Sequence, residues 1–318
     1  MLAQYTKPLF YAIVAAATVS AVTYCGPAKS KTRAAVVTYA SPDTLILRGA
    51  EEIPARIGAV LKEKDVIQTG QGPMDLQTTT GSTVRVRPYT RLELTSLLTN
   101  QTVKLDLKNG TVSARVRRSA AGENFTVTTP TAIAGVRGTA FVVTEDPEKG
   151  AIVTVVEGAV AMSPRMKATA IPTPVPGKEI VIEASESAEL VETRDSVEKS
   201  KVELTLRDQA DFDSMIEVED SLIEKAGALE QPTEAVVEEI KASYAKNRDA
   251  AFDRIADRAN ASDELKTGAL IETLRLKDGG SYSGTIIAQA GDTLIIQGKQ
   301  GVKRFKLDDV QAIDFGEE

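Results

Sequence analysis

The chain has 318 residues, and its 38 Lys and Arg against 45 Asp and Glu give a formal net charge of −7. This acidic balance provides no general attraction to nucleic acid, so no nucleic-acid partner is expected. The chain has no histidine and a single cysteine. The lack of imidazole excludes Ser-His-Asp and Cys-His catalysis and His-based metal sites, and we predict no catalytic residue, no metal and no cofactor.

The N-terminal residues 1–25 have the pattern of a targeting segment. Lys7 precedes an uncharged stretch whose apolar centre is Leu9–Val22, which is typical of a secretory signal peptide. Cys25 closes the run and resembles the acylated cysteine of a bacterial lipobox, although Tyr24 departs from the usual small residue. Three outcomes stay open: lipidation at Cys25, an uncleaved anchor, or cleavage elsewhere. Each predicts export to the periplasm, outer membrane or cell surface, with the lipid-anchored form favoured.

Residues 34–184 alternate between apolar and polar side chains with a period of two, which predicts half-buried strands. Arg85 and Arg87 alternate with valines and are expected on the solvent-facing side. Asn109-Gly110 is a strong signal for a two-residue hairpin. Many short strands separated by turn residues predict a mainly β fold, built as a sandwich or roll.

A series of landmarks over residues 57–162 resembles the FecR-type extracytoplasmic domain. The first is G-x-x-L-x-x-x-D-x-I-x-T-G, formed by Gly58, Leu61, Asp65, Ile67, Thr69 and Gly70. Phe125–Phe141 reads F-x-V-x-T-P-x-A-x-x-x-V-R-G-T-x-F, and Val155–Val160 reads V-x-E-G-x-V. The resemblance implies a periplasmic β domain that works by protein contact. Its best-known members relay a signal from an outer-membrane receptor to a cytoplasmic sigma factor.

These landmarks contain the candidate binding or structural residues Arg137, Gly138, Thr139 and Glu157. One interpretation makes Arg137 an anion clamp, because its planar guanidinium suits carboxylates. The other makes Arg137 an internal strut, paired with an acid such as Glu157 or bonded to loop carbonyls, because a buried arginine needs such partners. The strut is the favoured interpretation.

Three further segments follow the β domain. Residues 185–205 are polar and are expected to form a linker. Residues 206–262 carry apolar side chains three and four apart in two stripes, which predicts an α-helical hairpin. The helices are expected to pack on each other or on the β domain, with a partner-binding coil as the alternative. Residues 269–316 alternate again between turn signals and resemble a small SH3-like or Sm-like barrel.

The favoured function is a non-catalytic exported envelope protein, a lipoprotein, that acts as an interaction or scaffold adaptor. Its partner is an unidentified envelope protein, contacted through a sheet face or edge. The alternative is a module that binds cell wall or another glycan, with Tyr89 and Tyr282 as candidate stacking residues. Sigma-factor regulation is the least favoured, because only six residues precede Lys7.

Overall fold

The structure is a computed structural model that describes residues 34–99, 102–118, 124–166, 172–191, 196–202, 204, 206–261 and 271–315. The targeting segment, with Cys25, lies outside the described residues. All described residues belong to one unit, Thr32–Glu318. Within these ranges, no helix combines the length and the apolar composition that a membrane span requires.

The first part of the chain forms two β sheets that face each other. Its strands are β1 (Ala35–Ala40), β2 (Leu45–Arg48), β3 (Glu51–Pro54), β4 (Val60–Leu61), β5 (Val66–Gln68), β6 (Met74–Thr78), β7 (Thr83–Val86), β8 (Arg91–Thr99), β9 (Thr102–Arg115), β10 (Asn124–Thr128), β11 (Ala132–Val136), β12 (Ala140–Asp146), β13 (Gly150–Glu157), β14 (Ala159–Pro164), β15 (Ile180–Glu183), β16 (Glu186–Val191) and β17 (Ser196–Lys201). Sheet A has the order β4-β1-β6-β7-β9-β12-β13-β16-β17. Sheet B has the order β3-β2-β5-β8-β9-β10-β11-β14-β15.

One apolar core fills the space between sheets A and B. It consists mostly of Val, Leu, Ile and Ala from alternate positions of the strands, as the period of two predicts. Phe125 and Phe141 are its fully buried aromatic residues, and their rings meet edge to face with centroids 6.3 Å apart. The mainly β fold expected from the sequence is therefore confirmed.

Strand β9 belongs to both sheets, and this corrects the predicted hairpin at Asn109-Gly110. Its first half pairs with β8 and, in parallel, with β10, whereas its second half pairs with β7 and β12. Gly110 has φ +92°, and a Cβ placed on it would lie 2.7 Å from Cα of Thr90. The glycine therefore lets the strand pass from one sheet to the other beside Thr90, where a hairpin would have reversed it.

Three helices cover the outer face of sheet A, where the sequence predicted two. They are α1 (Leu206–Asp213), α2 (Asp220–Gly227) and α3 (Glu234–Ala261), and together they form what we call the helical layer. Its buried residues pack with Val36 of β1 on one side and with Ile287 and Ile295 of the C-terminal sheet on the other. The helical layer thus has two apolar faces, and the helices pack on the β domain as well as on each other.

The C-terminal residues form a five-stranded antiparallel sheet. Its strands are β18 (Glu272–Leu276), β19 (Ser281–Ala290), β20 (Thr293–Gly298), β21 (Gly301–Lys306) and β22 (Val310–Phe315). Their order is β21-β20-β19-β18-β22, and the described strands β21 and β22 at its two ends do not pair with each other. The five strands agree with the sequence analysis, but the sheet is open and the expected barrel closure is absent.

Strands β16 and β17 lie within residues 185–205 and form an antiparallel pair, which corrects the expected linker. Strand β16 pairs with β13 of sheet A, and β17 pairs with β16. Ala188 enters the apolar core, whereas the exposed residues around it are charged. Edge strands commonly carry such charges, which discourage pairing with another chain. Because of these charges, the sequence of β16 and β17 does not show a clear alternation of apolar and polar residues.

Candidate functional site

Arg85 lies at the centre of the contact between sheet A, the helical layer and the C-terminal sheet. It is 2% exposed, which corrects the expected solvent-facing position. Its Nε and Nη2 donate to the two carboxylate oxygens of Asp75 at 2.8 and 2.9 Å. Its Nη1 donates to Oγ of Ser214 at 2.6 Å and to the carbonyl of Gln289 at 3.1 Å. One side chain thus joins β6, the end of α1 and β19.

The charges around Arg85 change the pKa values of their neighbours. Burial alone would raise the pKa of Asp211, but the positive charges of Arg87 and Arg85 outweigh it and lower this pKa. Burial raises the pKa of Tyr244 well above its usual value, and the negative charge of Asp75 raises it further. The buried hydroxyl of Tyr244 has no hydrogen-bond partner in the described part of the chain. These groups all lie in the contact between sheet A, the helical layer and the C-terminal sheet.

The outer face of sheet B carries an open groove of about 880 Å³. We call it the sheet B groove. It crosses five strands, and one row of paired residues runs along its floor. The row consists of Lys104, Thr126, Gly135, Ala161 and Val181. The groove is therefore a shallow trough with very small side chains at its centre.

Gly138, Thr139 and Gly158 shape one end of this groove. Gly138 has φ +67°, and a Cβ placed on it would lie 2.9 Å from Cβ of Arg118. Gly158 has φ +86°, and a Cβ there would lie 2.9 Å from the carbonyl oxygen of Gly138. Thr139 Oγ1 donates to the carbonyl of Ala159 at 3.0 Å. At the two glycines and the threonine, the two turns therefore lie close together and next to Arg118.

Three cations line the sheet B groove: Lys104, Arg118 and Arg137. All three are exposed, and none forms an ion pair or a side-chain hydrogen bond within the described residues. Among the residues that the structure describes, no lining residue of the groove is acidic. The groove therefore concentrates unneutralised positive charge in a chain whose net charge is −7.

The structure does not bring the predicted partners Arg137 and Glu157 together. Both side chains are exposed, and no ion pair joins them. The strut interpretation needs such an ion pair or bonds to loop carbonyls, and Arg137 forms neither within the described residues. Sequence reasoning missed Lys104 and Arg118. The alternation in β9 indicates only that Lys104 points away from the core. Nothing local in the sequence indicates that β9 lies beside β10.

Neither of the two tyrosines considered for glycan stacking lines the sheet B groove. Tyr89 is 68% exposed in the turn before β8. Tyr282 packs against Phe305 and Lys303, and its hydroxyl donates to the carbonyl of Gly301 at 3.1 Å. The ring of Tyr282 is therefore already engaged. The part of the chain that the structure describes contains no cluster of three or more Cys, Asp and Glu arranged to hold a metal ion.

The chain matches a family model over part of its length and is similar to solved structures. Residues 65–161 match the family model described as FecR protein. The chain is similar to two crystal structures of a candidate anti-sigma factor from Parabacteroides distasonis, with 20% and 19% identity and a TM-score of 0.37 for each. The alignments cover 46% of this chain and 63% and 62% of those chains, so less than two thirds of each is spanned. No curated protein matches the sequence.

Proposed function

Since residues 65–161 form a FecR-type domain, we propose that the chain is a non-catalytic adaptor of the cell envelope that binds another protein through the open face of sheet B. The proposal includes export and attachment to a membrane by lipidation at Cys25. In this function the FecR-type domain supplies the contact surface. The helical layer and the C-terminal sheet hold that domain from behind.

The difference between the two faces of the β domain carries this proposal. Sheet A is covered, because the helical layer packs on it and Arg85 ties it to the C-terminal sheet. The opposite face of sheet B has the groove with its three unpaired cations. An exposed guanidinium without an internal partner is available to form strong, oriented hydrogen bonds with an incoming carboxylate. This face is therefore the one suited to a partner.

Export and lipidation are supported by the sequence of the targeting segment. Cys25 is the only cysteine of the chain and directly follows the apolar run. Palmitate labelling in the native host tests this part of the proposal. Labelling is expected for the wild-type chain and lost in Cys25→Ala, whereas labelling that survives the substitution contradicts lipidation at this residue.

Crosslinking in intact envelopes tests the adaptor function. The wild-type chain is expected to give one defined crosslinked protein, and Arg118→Gln/Arg137→Gln to lose it. Arg254→Gln is the matched control, because Arg254 lies exposed on α3 in the helical layer and forms no ion pair within the described residues. Equal crosslinking by all three proteins, or no defined product from the wild type, contradicts binding through the open face of sheet B.

A further inference from the structure

We propose that the sheet B groove binds an extended acidic segment of the partner protein, whose carboxylates pair with Lys104, Arg118 and Arg137. This inference rests on the proposed function and names the chemistry of its contact.

Charge complementarity is the first argument. In the described part of the chain, the groove has three cations and no acidic lining residue. Elsewhere in the described chain, exposed arginines commonly sit on carboxylates, as Arg117 does on Glu217 at 2.7 Å. The groove cations have no such internal carboxylate, so an anion from outside gains their full attraction without displacing a partner.

The floor of the groove is formed at its centre by residues with small side chains, which is the second argument. Gly135 does not have a positive φ, and a Cβ placed on it would have only the carbonyl oxygen of Ala161 within 4 Å, at 3.9 Å. Neither backbone conformation nor crowding therefore requires glycine here. Together with Ala161, Gly135 keeps the centre of the sheet low, which allows another chain to lie close to it. Val181, which is 51% exposed, adds an apolar contact at the rim.

The spacing of the cations is the third argument. Gly135 lies two strands across from Lys104 in the paired row, and Arg137 follows Gly135 by two residues, just beyond the end of β11. With ordinary strand spacing, the Cα atom of Gly135 lies about 10 Å across the sheet from that of Lys104, and the Cα atom of Arg137 lies up to about 7 Å further along the strand direction, or about 12 Å from Lys104 in total. An extended peptide spans this distance in about three to four residues. Arg118 approaches Gly138, next to Arg137, so two guanidinium groups can meet one end of the peptide.

The contact uses the sheet face because the neighbouring edge is occupied. Strand β15 forms the edge of sheet B, and Lys199 Nζ donates to the carbonyl of its Val181 at 2.8 Å. The amide of Glu183 donates to the carboxylate of Glu186 at 2.8 Å. These internal bonds take two of the main-chain groups that a strand added at this edge would need.

A binding measurement with defined peptides tests the proposal. The purified full-length chain in detergent is titrated into a fluorescently labelled extended peptide with two glutamates four residues apart, and anisotropy is recorded at about 0.01 M ionic strength, where the Debye length is about 30 Å. Binding is expected for this peptide and not for its Gln counterpart. Arg137→Gln is expected to weaken binding at least about tenfold, and Gly135→Leu to abolish it by filling the trough without changing charge. Arg254→Gln is expected to bind as the wild type does.

Three outcomes overturn the acidic-segment proposal: equal binding of the Glu and Gln peptides, equal loss in Arg137→Gln and Arg254→Gln, or binding of inorganic tripolyphosphate in the groove without binding of the Glu peptide. The last outcome assigns the groove to a phosphate-bearing ligand. If envelope crosslinking still depends on Arg118 and Arg137 while no acidic peptide binds, the adaptor function stands and this inference fails. If the acidic peptide binds and no envelope partner is found, the acidic-segment inference stands and the adaptor function fails.

Discussion

Replacing Arg85 by methionine should strongly destabilise the whole described unit. The substitution keeps much of the side-chain volume but removes the guanidinium from the two oxygens of Asp75, which is 4% exposed. A buried carboxylate then remains without its partner, and such a loss costs about 3–5 kcal/mol. The bonds to Ser214 and to the carbonyl of Gln289 are lost in the same step.

Urea unfolding followed by circular dichroism measures the effect of Arg85→Met. With a slope of about 3 kcal/mol per M, the midpoint should fall by about 1–2 M. The control is Arg117→Met, because Arg117 also pairs with two carboxylates, Glu217 and Asp220, but is 41% exposed. Exposed pairs contribute about 0–1 kcal/mol, so its midpoint should hardly move.

The double variant Asp75→Asn/Arg85→Met should cost less than the sum of the two single changes, because no unpaired buried charge remains. If Arg85→Met lowers the midpoint no more than Arg117→Met does, the buried cluster does not stabilise the contact between layers and the reasoning fails.

Four other outcomes are expected. The pKa of Asp211 is lower in the folded state, so its contribution to stability is complete above the unfolded pKa of about 3.9 and is lost as pH falls through the folded pKa. On acidification, Asp211→Asn should therefore lose stability less steeply than the wild type. Tyr244→Phe removes a buried hydroxyl that has no partner among the described residues, so it should raise the free energy of unfolding by about 1 kcal/mol. It should also reduce the loss of stability above about pH 10, because there the unfolded wild type releases the hydroxyl proton and the folded state does not. A variant less stable than the wild type would show that the hydroxyl contributes to stability. Gly138→Ala should lower the melting temperature, with a cost of about 1–2 kcal/mol, because the backbone at this position is left-handed and Cβ of Arg118 is close; an unchanged melting temperature shows that the site relaxes freely. Arg137→Ala should change stability by no more than about 0.5 kcal/mol, and a lower melting temperature would restore the strut interpretation.

The sequence predicted local features well and their spatial partners poorly. Alternation of apolar residues gave the strands of the β domain, and the landmarks from Gly58 to Val160 indicated the FecR-type domain. The same alternation placed Arg85 on the side of β7 that faces away from the core of the β domain, and this side was correct although it does not face solvent. It could not show that helices cover this face, because that contact joins residues more than a hundred positions apart.

The errors at Asn109-Gly110 and in residues 185–205 have the same origin. Asn-Gly reads as a two-residue turn when only its neighbours are considered, yet here glycine lets one long strand change sheets next to Thr90. Charges on β16 and β17 suggested a linker, although Ala188 is buried in the core. For the groove, the VRGT motif drew attention to Arg137. Lys104 and Arg118 become its neighbours only through the parallel pairing of β9 with β10 and the close turn at Gly138.

The helical layer sets a limit on how this protein can be divided. Phe212 and Met215 pack against Ala140, Val142 and Val156 on the back of sheet A. A fragment cut after the last sandwich strand would present these apolar positions to water and would leave Asp75 and Arg85 without their cover. Such a fragment should aggregate and be difficult to purify, even though it contains every sequence landmark of the FecR-type domain. Expression boundaries for this chain are better drawn around all three layers than around the matched segment.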